Sequence, residues 1–182
     1  MDTTGNNALK PDENFTLEDW KAWPEGERWE LIHGEAFAMS PAPRLKHQRL
    51  LLKLSTQLAS RLKGKSCEPF ISPMDVFLAE NVVQPDLMIV CDPEKCRDEG
   101  IFGPPDWILE ILSPSTSYKD QTQKRNLYEQ FGVKEYWILN PDTLDLIIYY
   151  LEGDKFSNPV GFRLDKPVAV KLFPGIELTL AD

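Results

Sequence analysis

The chain has 182 residues, 42% of them hydrophobic and 10% aromatic, and a formal net charge of −9 at pH 7. That length and apolar content support one domain with a substantial core, and they exclude a disordered chain, which lacks the apolar surface to offset the entropy of ordering. An acidic total also argues against a surface that binds nucleic acid everywhere, because affinity for a phosphate backbone comes largely from lysine and arginine releasing counterions.

Residues 1–14, MDTTGNNALKPDEN, are polar and read as a disordered tail ahead of a single domain over 15–182. The tail has neither the basic start nor the apolar run of a secretion signal, and no later stretch is long and apolar enough for a membrane span. FTLEDWKAWPEG predicts a short helix with Thr16 as its cap and Pro24 as its stop. ERWELIHGEAFAMSP alternates about His33-Gly34 and predicts a hairpin from Trp29 to Met39, closed by Ser40-Pro41-Ala42-Pro43.

From Arg44 to Lys65 the chain carries Arg44, Lys46, Arg49, Lys53, Arg61, Lys63 and Lys65 and no carboxylate. Spacing of 100° per residue puts Leu51, Leu54, Leu58 and Leu62 on one stripe, with Arg49, Lys53, Thr56, Ser60 and Lys63 opposite, so this is an amphipathic helix with a basic outer face. CEPFISPMDVFLA and VVQPDLMIV read as two strands joined near Glu80-Asn81, and a polar excursion, DPEKCRDEGIFGPP, leads to a third strand, DWILEIL. Ser113-Pro114-Ser115-Thr116 ends that strand and offers hydroxyl caps to a second helix, roughly Tyr118 to Phe131, terminated by Gly132.

EYWIL is a fourth strand, LDLIIYYLEGDKFSN a hairpin about Glu152-Gly153-Asp154, and LFPGIELTL an apolar close. The order helix, three strands, helix, strand defines an α/β core with a mixed sheet, helices on its faces and extra strands at both ends. Cys67, Cys91 and Cys96 lack CxxC spacing and the histidines are His33 and His47, which excludes a closed zinc site and reads as reduced thiols in a cytoplasm.

Three polar residues interrupt apolar patterns. Asp86 shares a face with Met88 and Val90, while Leu87 and Ile89 fill the other, so both sides of its strand read as buried. Glu110 shares a face with Ile108 and Leu112 in another strand of the same kind. A buried carboxylate needs a cation or a strong hydrogen-bond set; a single salt bridge would serve for one acid, and two acids on neighbouring strands weaken that account. Lys124 falls within the stripe of Leu127, Tyr128 and Phe131 and is aimed inward, the alternative being a stem that packs while its ammonium reaches water. Together these groups suit phosphodiester hydrolysis: two carboxylates for a hard cation, and an amine for the phosphate. The aromatic set Tyr136, Trp137, Tyr149 and Tyr150 reads as core packing rather than a base-stacking surface.

Pro85-Asp86 followed by Glu110-Ile111-Leu112 resembles the PD-(D/E)XK signature of restriction endonuclease-like nucleases. With ERWELIHGEAFAMSPAPRLKHQRLLLKL, EILSPST and the run from Lys124 to Pro141 containing GVKEYWILNP, the chain resembles the bacterial Uma family within that superfamily, over about residues 16 to 180. The resemblance implies an αβββαβ core, dependence on Mg²⁺ or Mn²⁺ held by Asp86 and Glu110, and hydrolysis of DNA. It departs at Leu112, where the motif has lysine; Lys124 takes that part from the following helix. The resemblance also marks Glu30, which can replace a further acid absent from the basic helix, and His47, which can contact phosphate or carry a proton. A surface glutamate and a backbone-bonded histidine are the plainer accounts of those two. Gln84 and Gln123 are further candidates for the cleft. Arg49, Lys53 and Lys63 would follow the DNA backbone.

The expectation is thus a metal-dependent endodeoxyribonuclease with DNA as partner, and with a homodimer or a protein partner available to raise the affinity of an acidic chain. A nuclease-fold binding module that no longer cuts is the alternative, and a hydrolase of another phosphate ester is a third.

Overall fold

The computed structural model describes residues 14–24, 27–39, 43–113 and 117–181. Most of the tail (1–13), the Ser40-Pro41-Ala42 break and the Pro114-Ser115-Thr116 caps therefore lie outside the described residues. Helix α1 (Leu17–Lys21) starts with a reciprocal capping box between Thr16 and Asp19. Strands β1 (Trp29–Ile32) and β2 (Glu35–Ala38) pair antiparallel. His33 and Gly34 turn the chain between them with φ of 50° and 81°, the positive values a two-residue hairpin turn needs. Helix α2 (Leu45–Leu62) buries Leu51, Leu54, Leu58 and Leu62, as its spacing predicts.

The two strands expected next are four: β3 (Glu68–Ile71), β4 (Val76–Leu78), β5 (Asn81–Val83) and β6 (Leu87–Val90). Pro73 offers no N–H to a ladder, and the chain leaves one sheet there for another. The polar excursion also holds a short pair, β7 (Cys96–Arg97) and β8 (Gly100–Phe102). Strand β9 (Trp107–Ile111) is followed by a helix in three consecutive pieces: α3 (Ser117–Lys119), a π-helical segment (Asp120–Lys124) and α4 (Arg125–Phe131). Gly132, at φ 81°, ends it in the left-handed conformation. Then come β10 (Glu135–Leu139), β11 (Asp145–Glu152), β12 (Lys155–Phe156), β13 (Val160–Arg163), β14 (Val168–Ala169) and β15 (Glu177–Leu178).

Among the described residues the larger sheet has the order β12-β11-β10-β9-β6-β3, with β13 on β11, and a second sheet runs β2-β1-β5-β4-β8-β7. The larger sheet is mixed: β10 lies parallel to β9, reached through the helical crossover, while β6 is antiparallel to β9. Both of its faces are covered. Leu87, Ile89, Trp107, Leu109 and Trp137 pack against α2 and the C-terminal Ile176, Leu178 and Leu180. Met88, Val90, Ile108 and Ile138 pack against Ile32, Val76, Val83, Leu127 and Tyr128 from the second sheet and α4. Tyr136 and Trp137 are wholly buried, in edge-on contact with Tyr128 and Trp107. Glu135, also buried, accepts bonds from the Leu172 N–H at 2.8 Å and the Trp137 indole at 2.7 Å, fastening the C-terminal segment to β10.

The reading of the cysteines as reduced thiols is corrected. Cys67 and Cys91 flank the paired Glu68 and Val90 of β3 and β6 and are joined in a disulfide, while Cys96 is free. Their proximity follows from strand register, not from sequence spacing. Among the described residues no helix is long and apolar enough to cross a membrane.

Candidate active site

The antiparallel register that sets Leu87 against Leu109 brings Asp86, one residue before β6, beside Glu110 of β9. The Asp86 N–H lies 3.4 Å from Glu110 Oε2, and Asp86 Oδ2 accepts the Ile111 N–H at 2.7 Å. The same Oδ2 is 3.1 Å from His47 Nε2, which the first turn of α2 delivers. Buried Glu110 uses Oε1 to accept the Lys124 ammonium at 2.8 Å and the Tyr128 hydroxyl at 2.9 Å. The ammonium does not reach water: the Lys124 side chain is 4% exposed and also pairs with Glu30 at 2.7 Å and Asp120 at 3.7 Å.

Glu30 is not a surface residue of the hairpin but a wholly buried one, projecting from β1 between the two sheets. It accepts the Gln84 N–H at 2.9 Å and the ammonium groups of Lys124 and Lys119. Asp86, Glu110, Lys124, Glu30 and His47 therefore converge, from β1, α2, the start of β6, β9 and the helical crossover. Gln84 joins them through its backbone. Gln123 does not, and donates instead to Glu35 on β2 at 3.3 Å. Arg49 and Lys53 lie exposed on the outer side of α2, and Lys63 lies exposed just past its end.

Sequence reasoning missed Lys119, Asp120 and Tyr128. Asp120 and Tyr128 stand one α-helical turn before and after Lys124, so the 100° spacing that picked Lys124 also reaches them. Lys119 is different. At that spacing residues 119 and 124 would point about 140° apart, but a π-helical segment brings residues five apart onto one side. Both ammonium groups thereby meet Glu30.

Charge explains the ionisation of the cluster. Four carboxylates, Glu30, Asp86, Glu110 and Asp120, face the two ammonium groups, with His47 a third cation only when protonated. Burial pushes Glu30 up, but Lys124, Lys119 and the Gln84 N–H outweigh it and hold the acid at about 2. Burial pushes Glu110 up to about 8 against the pull of Lys124, and the negative charges of Asp120, Asp86 and Glu30 act in the same direction as burial. For Lys124 burial works downward and is overcome by Glu110, Glu30 and Asp120, which keep the ammonium charged. Burial likewise disfavours a charged His47, yet the bond to Asp86 and its charge raise the imidazole above its ordinary value.

Among the described residues no group of three or more His, Cys, Asp or Glu side chains is placed to hold a metal ion. The donor chemistry of Asp86 and Glu110 fits an open site, in which two hard carboxylates hold Mg²⁺ and water completes the shell. Among the described residues both acceptor bonds of Asp86 fall on Oδ2, and an added dication would offset the surplus negative charge that lifts Glu110.

Two uncharacterised proteins of Synechocystis sp. are similar to the chain. One, slr1290, is 26% identical over 149 residues, covering 79% of this chain and 78% of the relative. The other, sll1609, is 28% identical over 134 residues, covering 71% and 75%. The fold matches a crystal structure titled "a putative nuclease belonging to DUF820 from Anabaena variabilis", with a TM-score of 0.73 and 23% identity over 87% of this chain and 90% of that one. A model of the Uma2 family, described as "Putative restriction endonuclease", matches residues 16–181, and the chain belongs to that family.

Proposed function

We propose that the protein is a metal-dependent endonuclease that hydrolyses DNA phosphodiester bonds with a water nucleophile and no covalent enzyme intermediate. The observation that carries this reading is the meeting of Asp86, Glu110 and Lys124 at one end of the larger sheet, with the ammonium buried against Glu110. Asp86 and Glu110 would hold Mg²⁺, or Mn²⁺ in its place, and the ion would supply Lewis-acid polarisation of the phosphate and a lowered pKa for the attacking water. Lys124 stabilises the charge that grows on the phosphate oxygens, with its position fixed by Glu110 and Glu30. His47, against Asp86, moves a proton to or from the reacting oxygens. Arg49, Lys53 and Lys63 hold flanking phosphates, and a homodimer would double that basic surface.

A second reading, a nuclease-fold binding module that does not cut, is favoured by one feature: the Glu30 oxygens and Glu110 Oε1 already accept protein donors. The test is calorimetric titration with magnesium, followed by incubation with plasmid and with single-stranded DNA. Cleavage by the wild type, with metal binding lost in Asp86→Ala and Glu110→Ala, is the expected result. Metal binding without any cleavage selects the second reading. Metal binding untouched by either substitution removes the site from both.

A further inference from the structure

Next to the acid cluster stands an arginine that the chemistry above does not use. Arg28 immediately precedes β1, and its carbonyl accepts the Met39 N–H at 2.9 Å, extending the β1–β2 ladder by one pair. Strand alternation puts the side chains of Arg28 and Glu30 on the same face, about 7 Å apart along the chain.

Gln84 ties the two together. Its backbone N–H donates to Glu30 Oε1 at 2.9 Å, while its side-chain Oε1 accepts from Arg28 Nε at 3.1 Å and Nη2 at 2.6 Å. The Gln84 amide cannot turn over freely, because its Nε2 donates to Asp75 Oδ1 at 2.7 Å. Gln84 is buried, Asp75 half-buried and Arg28 exposed. A carboxylate thus orients an amide, the amide orients a guanidinium, and the guanidinium faces solvent beside the site.

Of the five donors of an arginine, the two bonds to Gln84 use one on Nε and one on Nη2. Among the described residues both Nη1 donors and one on Nη2 remain for a ligand, and a planar fork of this kind matches phosphate oxygens. Lys119 and Lys124 are buried against carboxylates, so they do little to attract a polyanion from solution. An exposed, pre-oriented arginine can.

We propose that Arg28 binds a backbone phosphate of the substrate strand adjoining the one to be cut. Gln84 and Asp75 act through it as positioning residues that keep that phosphate in register with Glu30. This assignment rests on the DNA-cleaving reading.

The test measures binding of a labelled duplex oligonucleotide to the full chain by fluorescence anisotropy, with calcium replacing magnesium, across a salt series. One phosphate contact contributes about 0.9 to the slope of log affinity against log salt. Arg28→Gln should flatten the slope by that amount, so that raising salt from about 50 to about 200 mM costs the variant ~3.5-fold less affinity than it costs the wild type. Arg28→Lys should keep the wild-type slope, because charge sets counterion release. Circular dichroism and a melting curve check that the exposed substitution leaves the fold intact. A full slope in Arg28→Gln overturns the inference and leaves only a structural bond to Gln84, even if the melting temperature falls. A wild type that binds no duplex at the lowest salt overturns the DNA-cleaving reading and the inference with it.

Discussion

Lys124→Met replaces a buried ammonium with an isosteric apolar chain, and its cost can be worked from the groups left behind. The ammonium lies 2.7 Å from Glu30 and 2.8 Å from Glu110 with 4% of the side chain exposed. Glu110, already lifted to about 8, is neutralised at little further expense. Glu30 bears the loss. Its depression from 4.5 to about 2 corresponds to about 3 kcal/mol of favourable interaction with its charged form, at about 1.4 kcal/mol per unit. Lys124 is the largest contributor to that depression, and removing one partner of a buried pair costs about 3–5 kcal/mol in general. We expect about 3 kcal/mol at pH 7.5, read as a lower urea midpoint at unchanged slope, and a melting temperature lower by roughly 6–12 °C. The sign of the pH dependence follows. Without the ammonium the folded-state pKa of Glu30 rises from about 2, with Lys119 and the Gln84 N–H still opposing burial, so the wild-type advantage is fully present at high pH and is lost as pH falls and the acid is protonated. The gap to wild type should therefore narrow from pH 7.5 toward pH 4. A gap below about 1 kcal/mol at both pH values would refute the view that Lys124 is the counter-charge of the cluster.

Glu110, raised from 4.5 to about 8 by burial and neighbouring carboxylates, contributes stability that is fully present below pH 4.5 and lost as pH rises toward 8. Metal-free protein should accordingly melt at lower temperature at pH 8 than at pH 5.5, and saturating magnesium should flatten that slope; a slope indifferent to the ion would remove Glu110 from the ligand set. The Cys67–Cys91 bond closes a loop of 24 residues' separation, for which the chain-entropy account gives about 3 kcal/mol. Cys67→Ser should therefore lower the denaturation midpoint, and added reductant should do the same to wild type but not to the variant.

An acid beside a run apolar on both faces is legible in the sequence, which is why Asp86, half-buried just ahead of β6, and Glu110, buried within β9, stood out. Lys124 stood out because α-helical spacing holds closely enough from Lys124 to Tyr128. Lys119 was illegible for the complementary reason: its direction depends on a π-helical segment that no hydrophobic periodicity encodes. Glu30 lies in a strand pattern equally consistent with an outward face, and it is buried because β1 belongs to the second sheet, whose inner face packs against the larger one. That sheet was itself hidden, since the run from Cys67 to Ala79 looks like one long strand until Pro73 turns the chain away. The disulfide needed the register of β3 on β6, a long-range fact. The mixed sheet and the order of its main elements were plain, because they follow from alternation, caps and Gly132.

The wide turn between Asp120 and Lys124 holds one residue more than a regular coil would. Rewound as ordinary α-helix at unchanged length, the stretch would turn Lys119 to about 140° from Lys124 and carry it off Glu30. Shortened by one residue, it would leave the two lysines four apart, about 40° from each other, and both ammonium groups could keep their partner. A one-codon deletion between Gln121 and Gln123 should therefore disturb the pairing less than full-length exchanges that force this stretch into a tighter coil.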